Sequence, residues 1–220
     1  MLGARGHAVF TPTLTGLGER VHLRRRGDGL ELHVIDIINV LEYEDLRDVV
    51  LCGHSYAGMV ITGVADRIAE RIGALVYVDA YVPEDGQSMF DLRPAGMTAA
   101  LLRRVEAEGE GWLMPPTSAA AFRVASEADQ AWVDRYCVPQ SVDTFRQPIR
   151  LTRDKPAVLP RHYILAGRNT NATFREFHER FSRDDAWTTH VADAGHDVMV
   201  DQPEWLAGLL ARIAEGTETA

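Results

Sequence analysis

The sequence predicts an α/β fold in which helices flank a mostly parallel sheet and a helical cap is inserted. Apolar runs of strand length alternate with longer segments whose apolar residues recur every three or four positions. This alternation is typical of parallel sheets, because consecutive parallel strands need a crossover between them. From about residue 84 to residue 155 the periodicity changes, and prolines and aromatic residues accumulate. We therefore expect a core formed by residues 1–83 and 156–220 and a cap formed by residues 84–155.

Each predicted element follows from a local pattern. Short apolar runs predict strands at residues 8–11, 48–52, 74–78, 162–166 and 188–192. Apolar stripes with helical spacing predict helices at residues 30–43, 56–71, 173–181 and 203–213, and in the cap at 98–108 and 127–136. Gly73 is expected to end the second helix, and Pro203 suits the first turn of the last one.

The acidic net charge and the number and spacing of the cysteines disfavour several classes of binding partner and bound metal. The formal net charge is -9 and the sequence pI is about 5.3, which disfavours binding to nucleic acid or to a membrane, so a small-molecule partner is expected. Residues 24–26, all arginine, are interpreted as a solvated loop. Cys52 and Cys137 lack the spacing of a disulfide scaffold or a zinc site, and Cys52 is expected to be buried in its strand. Without a long apolar run or a signal peptide, a cytoplasmic location is expected.

The most informative segment spans residues 51–58, where Ser55 follows a predicted strand and precedes a predicted helix. Gly53, Ala57 and Gly58 surround it with small residues, as a sharp and strained strand-to-helix turn requires. The N–H of Tyr56 and the helix dipole would both point to where negative charge develops on an attacked carbonyl. The pattern predicts Ser55 as a nucleophile and the Tyr56 N–H as an oxyanion donor.

A serine hydroxyl needs a general base and a third group that orients the base. Of the eight histidines, His196 follows the last predicted strand and precedes the last helix, which puts it at the same sheet edge as Ser55. We therefore predict His196 as the base. His54 is expected to pack beside the serine turn.

These motifs, together with Gly195-His196-Asp197 and the passage Thr-Pro-Thr-Leu-Thr-Gly-Leu-Gly-Glu-Arg at residues 11–20, resemble the α/β-hydrolase superfamily. The chain is similar to a branch of small esterases that includes pyrethroid hydrolases, salicylate methylesterases and hydroxynitrile lyases. The resemblance implies an α/β-hydrolase sheet over essentially the whole chain, and neither a cofactor nor a metal is expected.

The chain departs from that superfamily in two places. Members commonly carry an aspartate just after the strand predicted at residues 162–166, where this chain has Asn169, which can orient a histidine but cannot stabilise its positive charge. Some members place the acid one strand earlier, which makes Asp79 the favoured acid and Asn169 a possible substitute. Related proteins also begin with a strand and a His-Gly motif that supplies a second oxyanion donor. Neither is present here, so we expect an upstream portion, another element that fills the gap, or a damaged hydrolase; the fold is expected to be truncated at its N-terminus.

The residues and the resemblance together predict a serine hydrolase that cleaves a carboxylic ester of a bulky apolar molecule through an acyl-enzyme. His54, Trp112 and Met114 are expected to contact the substrate, and the absence of a basic cluster in the cap favours an apolar substrate. Two alternatives stay open: a lyase or cyclase of the hydroxynitrile-lyase type on the same scaffold, and a non-catalytic ligand-binding hydrolase. The oligomeric state is left open.

Overall fold

The computed structural model describes residues 1–152 and 157–217. The strands in these ranges are β1 (Val49–His54), β2 (Ile72–Val78), β3 (Leu113–Met114), β4 (Gln140–Ser141), β5 (Arg161–Ala166) and β6 (Thr188–Ala192). Four of them form the main sheet in the order β1-β2-β5-β6, and each neighbouring pair is parallel. The carboxyl ends of these strands therefore meet at one edge of the sheet, where ligands bind in open α/β folds.

Helices cover both faces of this sheet. They are α1 (Leu30–Tyr43), α2 (Ala57–Ile68), α3 (Ala95–Glu108), α4 (Glu127–Tyr136), α5 (Asp143–Arg146), α6 (Ala172–Phe181), α7 (Val198–Asp201) and α8 (Pro203–Ala214). One buried apolar cluster joins α1, α2 and α6 to the sheet, and a second joins α8 to it. Leu75 and Tyr77 of β2 belong to the first cluster, and Val76 and Val78 to the second, because successive side chains of a strand point to opposite faces. The predicted α/β fold with a parallel sheet is confirmed.

The prediction of a strand at residues 8–11 is wrong. These residues lie outside the sheet, and Val9 and Phe10 are about half exposed. β1 pairs with β2, and no strand of the described residues, which include residues 8–11, pairs with its other edge. Cys52 of β1 is exposed rather than buried as predicted, and β1 is an edge strand of the sheet in the described residues.

Gly73 does not end a helix, in contrast to the prediction. α2 ends at Ile68, a 3₁₀ turn follows at Ala69–Arg71, and Gly73 lies inside β2. A Cβ atom at Gly73 would lie 2.3 Å from Asp48 Oδ1. The glycine is therefore explained by the close approach of the chain that enters β1.

Between β2 and β5 the chain forms a cap from α3, α4, α5 and the antiparallel pair β3–β4. Both predicted cap helices are present, although α3 begins slightly earlier than predicted, at Ala95. The predicted boundary at residues 155 and 156 lies outside the described residues. In the described ranges, no helix combines the length and the apolar composition that crossing a membrane requires.

Candidate active site

The serine turn between β1 and α2 has a strained backbone. Ser55 has a φ of 54°, a conformation that is uncommon for residues with a side chain. Its N–H donates to the Val78 carbonyl at 3.2 Å, and its carbonyl accepts from the N–H groups of Gly58 at 3.2 Å and Tyr81 at 3.1 Å. These bonds join the turn to the end of β2, so the strained conformation is held by the sheet itself.

Small residues are required on both sides of this turn. A Cβ atom at Gly58 would lie 2.1 Å from the carbonyl oxygen of Tyr81, and one at Gly53 would lie 2.7 Å from that of Ala57. Both distances are too short for a carbon–oxygen contact. The close approach of α2 to β1 at Gly53 and to the segment after β2 at Gly58 therefore depends on glycine at these two positions, as the sequence pattern predicts.

Ser55, His196 and Asp79 form one chain of hydrogen bonds. Ser55 Oγ lies 2.9 Å from His196 Nε2, and His196 Nδ1 lies 2.7 Å from Asp79 Oδ2. His196 and Asp79 are buried. Because an ionised carboxylate only accepts hydrogen bonds, His196 Nδ1 carries the proton of the neutral ring, and Nε2 is left to accept the proton of the Ser55 hydroxyl.

Asn169 contacts the carboxylate rather than replacing it. Its Nδ2 group donates to Asp79 Oδ2 at 2.5 Å, and its Oδ1 atom accepts from the Asn171 N–H at 3.1 Å, which fixes the orientation of the amide. Asn169 Nδ2 also approaches His196 Nδ1 to 3.3 Å, but both atoms are donors when Nδ1 is protonated. The structure thus gives the imidazole an acceptor in Asp79 and gives Asp79 a donor in Asn169. The Ala166 N–H is a further donor to this carboxylate, at 3.0 Å from Oδ1.

Two phenylalanines enclose the His196 ring, and sequence reasoning assigned neither to the site. Phe174 of α6 stacks on the ring at 5.3 Å between centroids, and Phe122 of the cap lies 4.7 Å away. The Phe122 carbonyl also accepts from the His196 N–H at 2.8 Å. At Gly195 a Cβ atom would lie 2.2 Å from the Arg123 carbonyl oxygen. In the sequence, the proline and aromatic residues of the cap indicate that the cap lies near the site. The contacts of Phe122 and Phe174 with the His196 ring, however, depend on tertiary packing.

His54 lies beside the catalytic candidates and lines the cavity above them. Its Nε2–H donates to the carbonyl oxygen of His196 at 2.9 Å, and the two rings lie 4.4 Å apart. Burial and the neighbouring His196 lower the pKa of His54 well below its ordinary value. A neutral His54 therefore fixes the loop that carries His196.

A cavity of about 950 Å³ lies between the sheet edge and the cap, and Ser55 and His196 belong to its lining. Much of that lining is apolar, including Leu14, Leu17, Met89, Met114, Phe145 and Phe174. Met114 thus lies where it is predicted. Trp112 does not belong to the lining; its ring lies under the guanidinium groups of Arg24 at 5.9 Å and Arg26 at 5.3 Å.

The arginine triplet is therefore not a simple solvated loop. Arg24 donates to the carbonyl of Pro139, and Arg26 donates to that of Glu110 at 3.1 Å. Arg25 is exposed. The cation–π contacts with Trp112 and these hydrogen bonds fasten residues 24–26 to the cap, which explains why this aromatic residue faces the loop and not the cavity.

A buried network connects the serine turn with the loop before α1. His33 Nε2 lies 3.0 Å from the Thr15 carbonyl oxygen, and its Nδ1 lies 3.0 Å from Tyr56 Oη. Because a carbonyl only accepts, Nε2 carries the proton and Nδ1 accepts from the Tyr56 hydroxyl. Asp36 holds Thr15 through its N–H at 2.6 Å and its hydroxyl at 2.8 Å. Burial lowers the pKa of His33, so the ring is neutral. Sequence reasoning missed His33, although it shares the buried stripe of α1 with Leu30.

In the described ranges, no group of three or more His, Cys, Asp or Glu side chains is arranged to hold a metal ion.

Comparison with known proteins agrees with this architecture. Residues 1–209 match the model of the alpha/beta hydrolase family. A carbendazim-hydrolysing esterase of Nocardioides sp. (strain SG-4G) is 43% identical over 219 residues, which cover 94% of this chain and 88% of the relative. The chain therefore belongs to the alpha/beta hydrolase family. The family match and this relative together support an esterase-type enzyme, a carboxylesterase.

Solved structures show the same fold at lower identity. An extracellular alpha/beta-hydrolase from a Paenibacillus species superposes with a TM-score of 0.82 at 24% identity, covering 96% of this chain and 89% of that one. A pyrethroid hydrolase from Sphingobium faniae JZ-2 superposes with a TM-score of 0.72 at 21% identity, covering 97% and 88%. The family match and the 43% identical esterase confirm the resemblance to α/β-hydrolase esterases inferred from the sequence.

Proposed function

We propose that this carboxylesterase uses Ser55 as its nucleophile, His196 as general base and acid, and Asp79 as the group that orients and stabilises His196. The observation that carries the proposal is the continuous chain of hydrogen bonds from Ser55 Oγ through the His196 ring to Asp79 Oδ2, with distances of 2.9 Å and 2.7 Å. Such a chain supplies the base that an otherwise weak hydroxyl nucleophile requires.

The reaction then proceeds in two halves. Ser55 Oγ attacks the ester carbonyl while its proton passes to His196 Nε2, and the imidazolium returns that proton to the departing alcohol. The product of this half is an acyl-enzyme on Ser55, which water hydrolyses with His196 again acting as base. Asp79, held by Asn169 and the Ala166 N–H, stays ionised and stabilises the positive ring in both halves.

The Tyr56 N–H is the proposed oxyanion donor. Tyr56 is the N-cap residue of α2, and the first N–H groups of a helix have no acceptor within the helix. The positive end of the helix dipole adds to the stabilisation of negative charge at this point. One well-placed donor of this kind contributes on the order of 3 kcal/mol to transition-state stabilisation.

The proposed substrate is a carboxylic or carbamic ester of a bulky, largely apolar molecule. A cavity of about 950 Å³ with methionine, leucine and phenylalanine side chains in its lining suits such a molecule. The carbamic ester is included because the 43% identical relative is a carbendazim-hydrolysing esterase. A carbamoyl group on Ser55 would follow the same two-step course as an acyl group.

Two substitutions of Ser55 test the mechanism. Ser55→Ala and Ser55→Gly both remove the hydroxyl, but glycine accepts the φ of 54° without strain, so the glycine variant controls for misfolding. We expect both variants to lose at least about 10³-fold in kcat on a short aryl ester and to lose covalent labelling by a fluorophosphonate. Retention of more than a tenth of the wild-type kcat by either folded variant would overturn the assignment of Ser55.

The same assay separates the competing chemistries. A serine hydrolase should show a burst of alcohol release and one fluorophosphonate adduct per chain. Turnover without any adduct would favour lyase or cyclase chemistry. Tight ligand binding with neither turnover nor labelling would favour a non-catalytic binding protein.

A further inference from the structure

The charge of the cavity differs from that of the chain. The sequence carries a formal net charge of -9, yet among the described residues that line the cavity there is no Asp or Glu, whereas Arg93 and Arg104 are both present. The apolar cavity expected from the sequence thus has a positive region contributed by the cap.

The two arginines differ in how their charge is compensated. Arg104 Nη2 donates to the Pro116 carbonyl at 3.1 Å and lies 3.5 Å from Glu108 Oε2. Arg93, by contrast, has a buried Nε atom without a hydrogen-bond partner, and no ion pair joins its side chain to a carboxylate in the described part of the chain. Leaving a buried donor of a charged group unpaired is costly. A ligand would not reach this enclosed Nε atom, but Arg93 lines the cavity, and its guanidinium charge has no carboxylate partner among the described residues, so its outer nitrogens are the donors that an acceptor on a ligand would meet.

Arg93 lines the same cavity as Ser55 and His196, and Tyr81 and Phe174 also belong to that lining. The positive charge of Arg93 acts on the phenol of Tyr81, although burial dominates and raises the pKa of that phenol. The Tyr81 ring contacts Phe174 at 4.9 Å between centroids, and Phe174 stacks on His196 at 5.3 Å. A molecule long enough to reach from Ser55 to Arg93 along the cavity can place its ester at Ser55 and its other end at Arg93.

We propose that Arg93 is a specificity-determining residue that binds an oxygen acceptor, a carboxylate or a carbonyl, on the part of the ester remote from the scissile bond. The substrate class is then an ester with an apolar middle section and a second oxygen function, such as the monoester of a dicarboxylic acid. The guanidinium fork suits such a group because it can donate two parallel hydrogen bonds. This inference rests on the proposed esterase function and adds to it the polarity of the remote end.

The test compares three methyl esters of equal chain length that end in a carboxylate, a methyl ketone or an alkyl group. Arg93→Met removes the charge and keeps an apolar stem. We expect it to lower the ratio of kcat/KM for the carboxylate or ketone ester to that for the alkyl ester by about 10- to 100-fold, the size expected for loss of a hydrogen bond to a charged group. Arg103→Met is the matched control, because Arg103 lies on α3, which begins two residues after Arg93, is exposed and is not in the lining of this cavity.

The pattern across the esters decides the outcome. A ratio changed by Arg93→Met for the carboxylate ester but not for the ketone ester identifies an anionic group, and a change for both identifies any oxygen acceptor. Equal losses on all three esters, or no loss, would overturn the role of Arg93. If the wild-type enzyme hydrolyses none of them, the esterase proposal fails for this substrate class. The shift in Tm caused by the carboxylate ester, compared between wild type and Arg93→Met, then still tests binding at Arg93, and equal shifts would refute it.

Discussion

The clearest test of the site distinguishes Asp79 from Asn169 as the partner of His196. Asp79→Asn preserves the shape of the side chain, and asparagine tolerates the φ of 43° that Asp79 adopts. The substitution removes a negative charge next to a ring that becomes positive during catalysis. At a separation of about 4 Å and an effective dielectric constant of about 20, that charge contributes about 4 kcal/mol, which corresponds to roughly 10³-fold in rate.

Asp79→Asn also removes a carboxylate oxygen that accepts the Nδ1 proton of His196, so the ring is no longer held in the tautomer that leaves Nε2 free. In serine proteases the equivalent change costs about 10⁴-fold in kcat. We therefore expect Asp79→Asn to lower kcat by 10³- to 10⁴-fold. Asn169→Ala removes one hydrogen bond to a charged group, about 1.5–3 kcal/mol at most, so it should lower kcat by roughly 10- to 150-fold. Asn169→Asp should also reduce kcat, because two carboxylates at this distance oppose each other's ionisation.

The assay is steady-state and burst kinetics on an aryl ester, with Tm measured for each variant to exclude unfolding. The reasoning would be refuted if folded Asp79→Asn kept more than a tenth of the wild-type kcat, or if Asn169→Ala lost more activity than Asp79→Asn. In either case Asn169, not Asp79, would be the residue on which His196 depends.

Three further results are expected. Gly58→Ala should destabilise the fold by about 3 kcal/mol and reduce fluorophosphonate labelling, because its Cβ would lie 2.1 Å from the Tyr81 carbonyl oxygen. The control is Gly96→Ala in helix α3, where a Cβ would have nothing within 4 Å; it should leave labelling unchanged and stabilise the fold by up to about 1 kcal/mol. Equal urea midpoints for the two variants would contradict this. Burial lowers the pKa of His33 below its ordinary value of 6.5, so the neutral ring favours the folded state at a pH above 6.5, and this stability is lost as the pH falls below 6.5. A plot of unfolding free energy against pH should therefore have a smaller slope for His33→Gln than for the wild type. Parallel curves would exclude the effect. Met114→Ala should raise KM for a bulky ester several-fold and Trp112→Leu should not, since of these two residues only Met114 lines the cavity. A larger rise in KM for Trp112→Leu than for Met114→Ala would show that Trp112 contacts the substrate.

Much of the fold follows from local patterns. The spacing of apolar residues places α1 and α4 within their observed bounds and β6 at its observed limits. The turn around Ser55 is also a local feature, because the requirement for small residues acts over a few neighbouring positions. Strand polarity then puts the residues that follow β1, β2 and β6 at one edge, so the sequence alone predicts that Ser55, Asp79 and His196 lie near one another.

The sequence did not determine what these residues contact across the chain. The choice between Asp79 and Asn169 depends on the direction of one amide, which Asn171 fixes through a hydrogen bond. Trp112 lies outside the cavity lining because its ring packs against the guanidinium groups of Arg24 and Arg26, which come from another part of the chain.

By itself, then, the sequence determined the four strands of the main sheet and the long helices, the strained serine turn and the sheet edge that carries the site, since period and turn chemistry act between near neighbours. The tertiary structure decided whether Asp79 or Asn169 accepts from His196, which aromatic rings enclose the His196 ring, and that Arg93 and Arg104 belong to the cavity lining. These depend on distances of a few ångströms between residues remote in sequence, and hydrogen bonding and burial at that range are set only when the cap and sheet pack together.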